Sequence, residues 1–214
     1  MVSSKTILWD VDTQADFMLP GGKLYVPGAE KLLPNLNRLT EAAREGRALL
    51  VSSGDSHTAE DPELRVWPPH CMRGTPGAGL LPETMTNRFF VVPNRPGAPL
   101  PADLRSYQQV ILEKQTLDVF DNPNTDAVLA RIREFADPQA EFVVFGVVTE
   151  YCVKAAAKGL LERGRRVAIV TDAIETIKAE DGRRTLDELR AAGARLVTTN
   201  QALEQLEASA SRSG

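Results

Sequence analysis

Apolar positions along the chain gather into short unbroken runs, separated by stretches in which they recur every three or four residues. Residues 6–11, 48–53, 109–112, 141–145, 167–171 and 195–197 are runs of the first kind, short enough for strands and apolar on both faces. Between them Leu32, Leu33, Leu36, Leu39, Ala42 and Ala43 keep helical spacing up to Gly46, with Pro34 near the regular start. Val128, Leu129 and Ile132 do the same within 125–135, and Ala155, Ala156, Ala157, Leu160 and Leu161 do so after Cys152, which opens a predicted helix ending at Gly164. Another helix is predicted over 181–192, closed by Gly193. This alternation predicts an α/β fold: a doubly wound, Rossmann-like, mostly parallel sheet of about six strands, with helices on both faces and right-handed crossovers. Residues 89–92 supply a short extra strand at most.

The pattern lapses between Gly54 and Phe89, a stretch rich in Pro and Gly that includes Trp67, His70 and Cys71. A loop of that length inside a compact domain is either functional or disordered, and its aromatic and histidine content favours function. Residues 93–101 form a proline-rich connection.

Length and composition narrow the picture. With 214 residues and 43% hydrophobic content the chain suits one domain, expected over 1–208, followed by a flexible small-residue tail at 209–214. The net charge of −4 contains no block of like charge, which argues against nucleic-acid and membrane-surface partners. No run has membrane-spanning length, and the N-terminus enters a strand-like segment directly. The two cysteines, Cys71 and Cys152, match no disulfide framework or CxxC motif, as expected of a soluble cytoplasmic protein. A homo-oligomer is compatible with the sequence, but no apolar stripe demands one.

In a parallel sheet the loops at the carboxyl ends of the strands converge on one face. Here those ends carry Asp12, Asp55 with His57, Lys114 and Cys152. Each has a plain structural reading: the aspartates as turn or cap residues, Lys114 as a solvated lysine, Cys152 as a small core thiol. Their joint placement points instead to a catalytic centre built around a cysteine nucleophile. The chain has only two histidines, His57 in an Asp55-Ser56-His57 triplet and His70 after the loop. An Asp and a His two apart on an extended segment, completed by a later His, can hold Zn, Mn or Fe, with Glu63 the best fourth oxygen ligand; the alternative is two ordinary loop histidines.

These segments resemble the isochorismatase-like cysteine hydrolases, and within them the nicotinamidases and pyrazinamidases. The likeness runs from Val11-Asp12-Thr13-Gln14-Ala15-Asp16-Phe17 through Asp55-Ser56-His57 and Trp67-Pro68-Pro69-His70-Cys71 to Lys114 and Gly146-Val147-Val148-Thr149-Glu150-Tyr151-Cys152. The resemblance implies that Asp12, Lys114 and Cys152 form a catalytic triad. It also implies that Asp55, His57, Glu63 and His70 hold a divalent metal, with zinc first and manganese or iron as alternatives. The backbone of Val148 and Cys152 would form the oxyanion hole, after a cis Val147–Val148 peptide. Phe17, Trp67, Val147 and Tyr151 are the expected substrate-binding residues. Two features depart from the family pattern: Glu150 stands where Asp is common, and residues 114–123 look closer to general isochorismatase-type hydrolases than to nicotinamidases.

The implied activity is metal-assisted hydrolysis of a small carboxamide such as nicotinamide, through a thioester on Cys152, as in pyridine nucleotide salvage. Hydrolysis of another small amide or carbamoyl compound within the family is the alternative. A non-catalytic metal-binding or redox-sensing thiol protein is a third reading, and it leaves Asp12 and Lys114 without a role.

Overall fold

The computed structural model describes residues 4–211. Seven strands form a single sheet in the order β3-β4-β2-β1-β5-β6-β7: β1 (Ser4–Val11), β2 (Leu49–Asp55), β3 (Phe89–Val92), β4 (Gln109–Lys114), β5 (Ala136–Gly146), β6 (Arg166–Ile174) and β7 (Arg195–Val197). Every pairing is parallel. The count is therefore seven, one more than the main apolar runs predict. The seventh is the 89–92 segment, which pairs in register with β4 as an edge strand and leaves Phe89 and Val91 partly exposed.

Alternation along the strands divides the core. Ile7, Trp9 and Val11 of β1 pack on one side, against α3 (Thr125–Arg133), α4 (Lys154–Glu162) and α5 (Ala179–Ala191). Leu8 of the same strand packs on the other, with Leu36, Leu39, Ala42 and Ala43 of α2 (Leu33–Arg44) and Ala202 and Leu206 of α6 (Thr199–Ser211). A period of two in a strand covered on both faces requires apolar residues at nearly every position, which is why the runs are unbroken.

Two helix expectations change. Cys152 does not open a helix: it sits inside a turn of π-helix, Thr149–Val153, and α4 starts only at Lys154. Helix α6, not expected from the sequence, places Ala202, Leu203 and Leu206 on one face, packs on α2 and β6 and runs to Ser211, into the segment expected as a tail. Residues 212–214 lie outside the described residues. No helix among the described residues is long and apolar enough to cross a membrane.

The long 56–88 connection is punctuated by three short 3-10 turns, Pro62–Arg65, Pro76–Ala78 and Pro82–Thr84. Proline enters each at its first turn, where the missing N–H costs nothing. Asp16 of the short helix α1 (Ala15–Met18) ties this connection down, accepting from Cys71 N–H at 2.7 Å and Lys23 N–H at 3.0 Å. A Cβ on Gly77 would overlap the Asp16 carboxylate, so a larger residue there would push that carboxylate away from the two amides.

Candidate active site

Central strands β2, β1 and β5 and their neighbour β4 all end on the same edge of the sheet, and their last residues meet. Asp12 follows β1 with φ of 52°, a left-handed conformation that turns the chain at once out of the strand. Asp55 ends β2 and Lys114 ends β4, in register with each other. Gly146 ends β5 against the end of β1, where a Cβ would overlap the Val11 carbonyl oxygen. The Val147 N–H then donates to that carbonyl at 2.9 Å, the Val147–Val148 peptide is cis, and the π turn delivers Cys152 over the strand ends.

Lys114, 1% exposed, is the hub. Its Nζ lies 2.9 Å from Asp12 Oδ2, forms a short ion pair with Asp55 Oδ1, and approaches Cys152 Sγ at 3.6 Å. Ser53 Oγ donates to the other Asp12 oxygen at 2.7 Å. Gln14 clamps the Asp55 backbone, accepting from its N–H at 2.6 Å and donating to its carbonyl at 2.7 Å. Burial alone would lower the lysine, but the Asp12, Asp55 and Cys152 groups outweigh it and hold the ammonium charged. Burial raises Asp12 in spite of Lys114, and burial raises the Cys152 thiol well above its ordinary value, with Lys114 opposing and both carboxylates reinforcing. The resting arrangement is thus a protonated thiol beside a charged lysine, with a carboxylate in Asp12 whose proton affinity is enhanced.

The second oxygen of Asp55 faces both imidazoles, 3.7 Å from His57 Nε2 and 3.5 Å from His70 Nε2. With Glu63 these residues bring one ligand atom each to within 4.8 Å of one another. Each histidine has its Nδ1 committed elsewhere: His70 to the Pro68 carbonyl at 2.8 Å, His57 to Asp61 Oδ2 at 3.2 Å. A carbonyl accepts only, so His70 carries its proton on Nδ1, and the Asp61 carboxylate favours the same tautomer in His57. Both Nε2 lone pairs then point into the group, and His57 Nε2 is buried with no hydrogen-bond partner. An orphaned buried nitrogen, a second imidazole and two carboxylates form a donor set that fits a divalent transition metal. Asp61 is also held by Thr58, whose N–H and Oγ donate to it at 2.8 and 3.1 Å.

Above these groups lies a cavity of about 30 Å³. Phe17, Trp67 and Tyr151 line it together with Asp55, Glu63, His70, Val148 and Cys152; Trp67 meets Tyr151 edge-on at 5.5 Å. Val147 does not line it and lies in the core beneath, 1% exposed. Leu24, Val26, Leu117 and Ile177 complete the walls. Sequence reading missed these four, because they come from three separate loops and share no spacing with the catalytic motifs. It also missed Asp61, Ser53 and Gln14; for Asp61 the signal was its position four residues after His57.

The isochorismatase domain profile matches residues 6–201. The nicotinamidase of Escherichia coli (strain K12) is 27% identical over 213 residues, covering 88% of this chain and 92% of that protein. Among solved structures, the pyrazinamidase of Pyrococcus horikoshii in complex with zinc is 29% identical with a TM-score of 0.71, over 91% of this chain and 99% of that one. The N-carbamoylsarcosine amidase from Thermoplasma acidophilum is 26% identical with a TM-score of 0.69, over 91% and 96%.

Proposed function

Since the chain belongs to the isochorismatase family and its relatives mark it as an amidohydrolase, we propose that it hydrolyses the carboxamide of a flat, neutral ring, nicotinamide foremost, to the acid and ammonia. One observation carries this reading: Cys152 Sγ, Lys114 Nζ and the Asp12 carboxylate converge at the floor of an aromatic-walled cavity that is also lined by Asp55, Glu63 and His70 of the four-residue group completed by His57.

In the proposed mechanism Asp12 takes the thiol proton of Cys152 while Lys114 stabilises the sulfur anion, and Sγ bonds to the amide carbon. Backbone N–H groups of Val148 and Cys152 receive the oxyanion. The C–N bond breaks as Asp12 returns its proton to the leaving nitrogen, which departs as ammonia. Water, giving a proton to Asp12, then attacks the thioester; the acid leaves and the thiol is restored. Asp55, His57, Glu63 and His70 would hold the metal, zinc by analogy with the Pyrococcus protein and manganese or iron by ligand chemistry. When bound, it supplies a Lewis-acidic point that orients a ring nitrogen. Phe17, Trp67 and Tyr151 hold the ring between apolar faces.

An N-carbamoyl amino acid would bring a carboxylate into the same cavity. Among the described residues no Lys or Arg lines that cavity, and Lys114 beneath it is engaged by two carboxylates, which favours the neutral ring amide. The free cysteines suit a reducing compartment, so the proposed site of action is the cytoplasm. Ammonia release from nicotinamide, pyrazinamide and N-carbamoyl amino acids, with metal analysis of the same sample, tests the reading. Turnover of the ring amides is expected, and turnover confined to the carbamoyl compounds would overturn the choice of substrate.

A further inference from the structure

The loop between β6 and α5 supplies one wall of the cavity through Ile177, which is 46% exposed. A side chain on a surface loop makes a poorly defined wall unless something outside the loop holds it. Here the holder is Glu150. Its Oε2 accepts from Thr176 Oγ at 2.6 Å, and its Oε1 accepts from the backbone N–H groups of Ile177 at 3.0 Å and Lys178 at 3.1 Å. The neighbouring Thr149 adds two more bonds, its N–H and Oγ donating to the Glu175 carbonyl at 2.8 and 2.7 Å. Both residues belong to the π turn that carries Cys152. The turn that positions the nucleophile therefore also grips the loop that positions the wall.

The cavity is narrow, about 30 Å³, so the placement of each wall decides how large a ring it admits. A wall pinned by charge-assisted bonds to consecutive backbone amides yields less than one resting on dispersion contacts alone. We propose that Glu150 is a specificity-determining positioning residue: by fixing Ile177 relative to Cys152 it restricts the site to single, unsubstituted ring carboxamides. The proposal rests on the amidohydrolase reading and deepens it. Glu150 does not line the cavity, so it acts through Ile177 and not on substrate.

The bonding pattern separates geometry from charge. In Glu150→Gln the amide oxygen still accepts from both backbone N–H groups. Its NH2 donates to Thr176 Oγ, whose single proton, given to Glu150 in the wild type, turns to the Lys178 carbonyl 3.0 Å away. Glu150→Asp is one methylene too short to reach all three donors, and Glu150→Ala removes the grip.

The experiment uses the metal-loaded 214-residue chain and two amides, nicotinamide and quinoline-3-carboxamide, with hydrogen exchange at the Ile177 and Lys178 amides as a second readout. In Glu150→Ala and Glu150→Asp, exchange at those amides rises several-fold. The preference for nicotinamide in kcat/KM narrows by about tenfold, through KM with little change in kcat. Glu150→Gln keeps the wild-type exchange and selectivity, and Ile177→Ala loses the selectivity without affecting exchange at Lys178. A Glu150→Ala enzyme with wild-type selectivity overturns the proposal, as does a Glu150→Gln enzyme that behaves like Glu150→Ala. A wild-type protein that releases ammonia from neither amide overturns the amidohydrolase reading and this proposal with it. An active wild type whose selectivity survives Glu150→Ala sinks the proposal alone.

Discussion

Asp55 and Lys114 join the two halves of the site: one Asp55 oxygen carries the Lys114 ammonium, and the other faces the Nε2 atoms of His57 and His70. Burial opposes its charge, the Lys114 ammonium favours it, and Asp55 lies well below the ordinary carboxylate range. The same carboxylate thus belongs to the lysine that approaches the sulfur and to the group that suits a metal.

Removing Lys114 leaves Asp12 and Asp55 buried without a counter-charge. Lys114→Met is expected to cost about 3–5 kcal/mol of stability at neutral pH, the range for breaking a buried pair from one side. Urea unfolding of the metal-free protein measures it, and a loss below about 1 kcal/mol would show that the carboxylates are relieved in another way.

Cys152→Ala is expected to abolish ammonia release while the protein keeps its metal content, since Cys152 is not among the four converging ligand groups. Retained turnover, measured with the purified variant, would remove Cys152 from the nucleophile role.

Asp61 has no place in the cavity, yet it holds His57 Nδ1. Asp61→Ala should weaken metal affinity by about 10–100-fold, the usual effect of losing a carboxylate behind a ligating imidazole. Competition with a chromophoric chelator reads this directly. An unchanged dissociation constant would show that the Thr58 bonds are the whole of Asp61's role.

Asp10, fully buried on β1, is pushed up to about 8 by burial, against bonds from Thr13 and Ser52. Below the ordinary carboxylate pKa both folded and unfolded chains hold this proton. Between there and pH 8 only the folded chain does, so stability falls as pH rises through that window, by up to about 1.4 kcal/mol per unit. Asp10→Asn mimics the protonated acid and should stabilise the protein at pH 8 relative to wild type, with the advantage shrinking towards pH 4. Chemical denaturation of both proteins at the two pH values checks the sign, and an advantage that grows towards low pH would contradict it.

Much of the site was legible because its residues lie at strand ends, and strand ends are visible in a single sequence. Asp12, Asp55, Lys114 and Cys152 each follow an apolar run, and in a parallel sheet that shared position implies one shared edge. His57, Glu63 and His70 stood out through chain spacing in a loop otherwise rich in Pro and Gly. The walls Leu24, Leu117 and Ile177 stood out through nothing, since a lone apolar loop residue is an unremarked feature of any surface.

The sequence by itself determined the layered architecture and its chemistry-bearing edge, because burial on both faces of a parallel sheet imposes a local pattern that no other arrangement satisfies as simply. What only the tertiary structure decided is everything that depends on side chains from distant segments meeting. The pairing of Phe89–Val92 as a seventh strand and the packing of α6 are of this kind, as are the sharing of Asp55 between Lys114 and the histidines and the hold of Glu150 on Ile177. Such contacts form between residues whose separation along the chain carries no periodic signal, and their energies appear only when the fold has excluded water from between them.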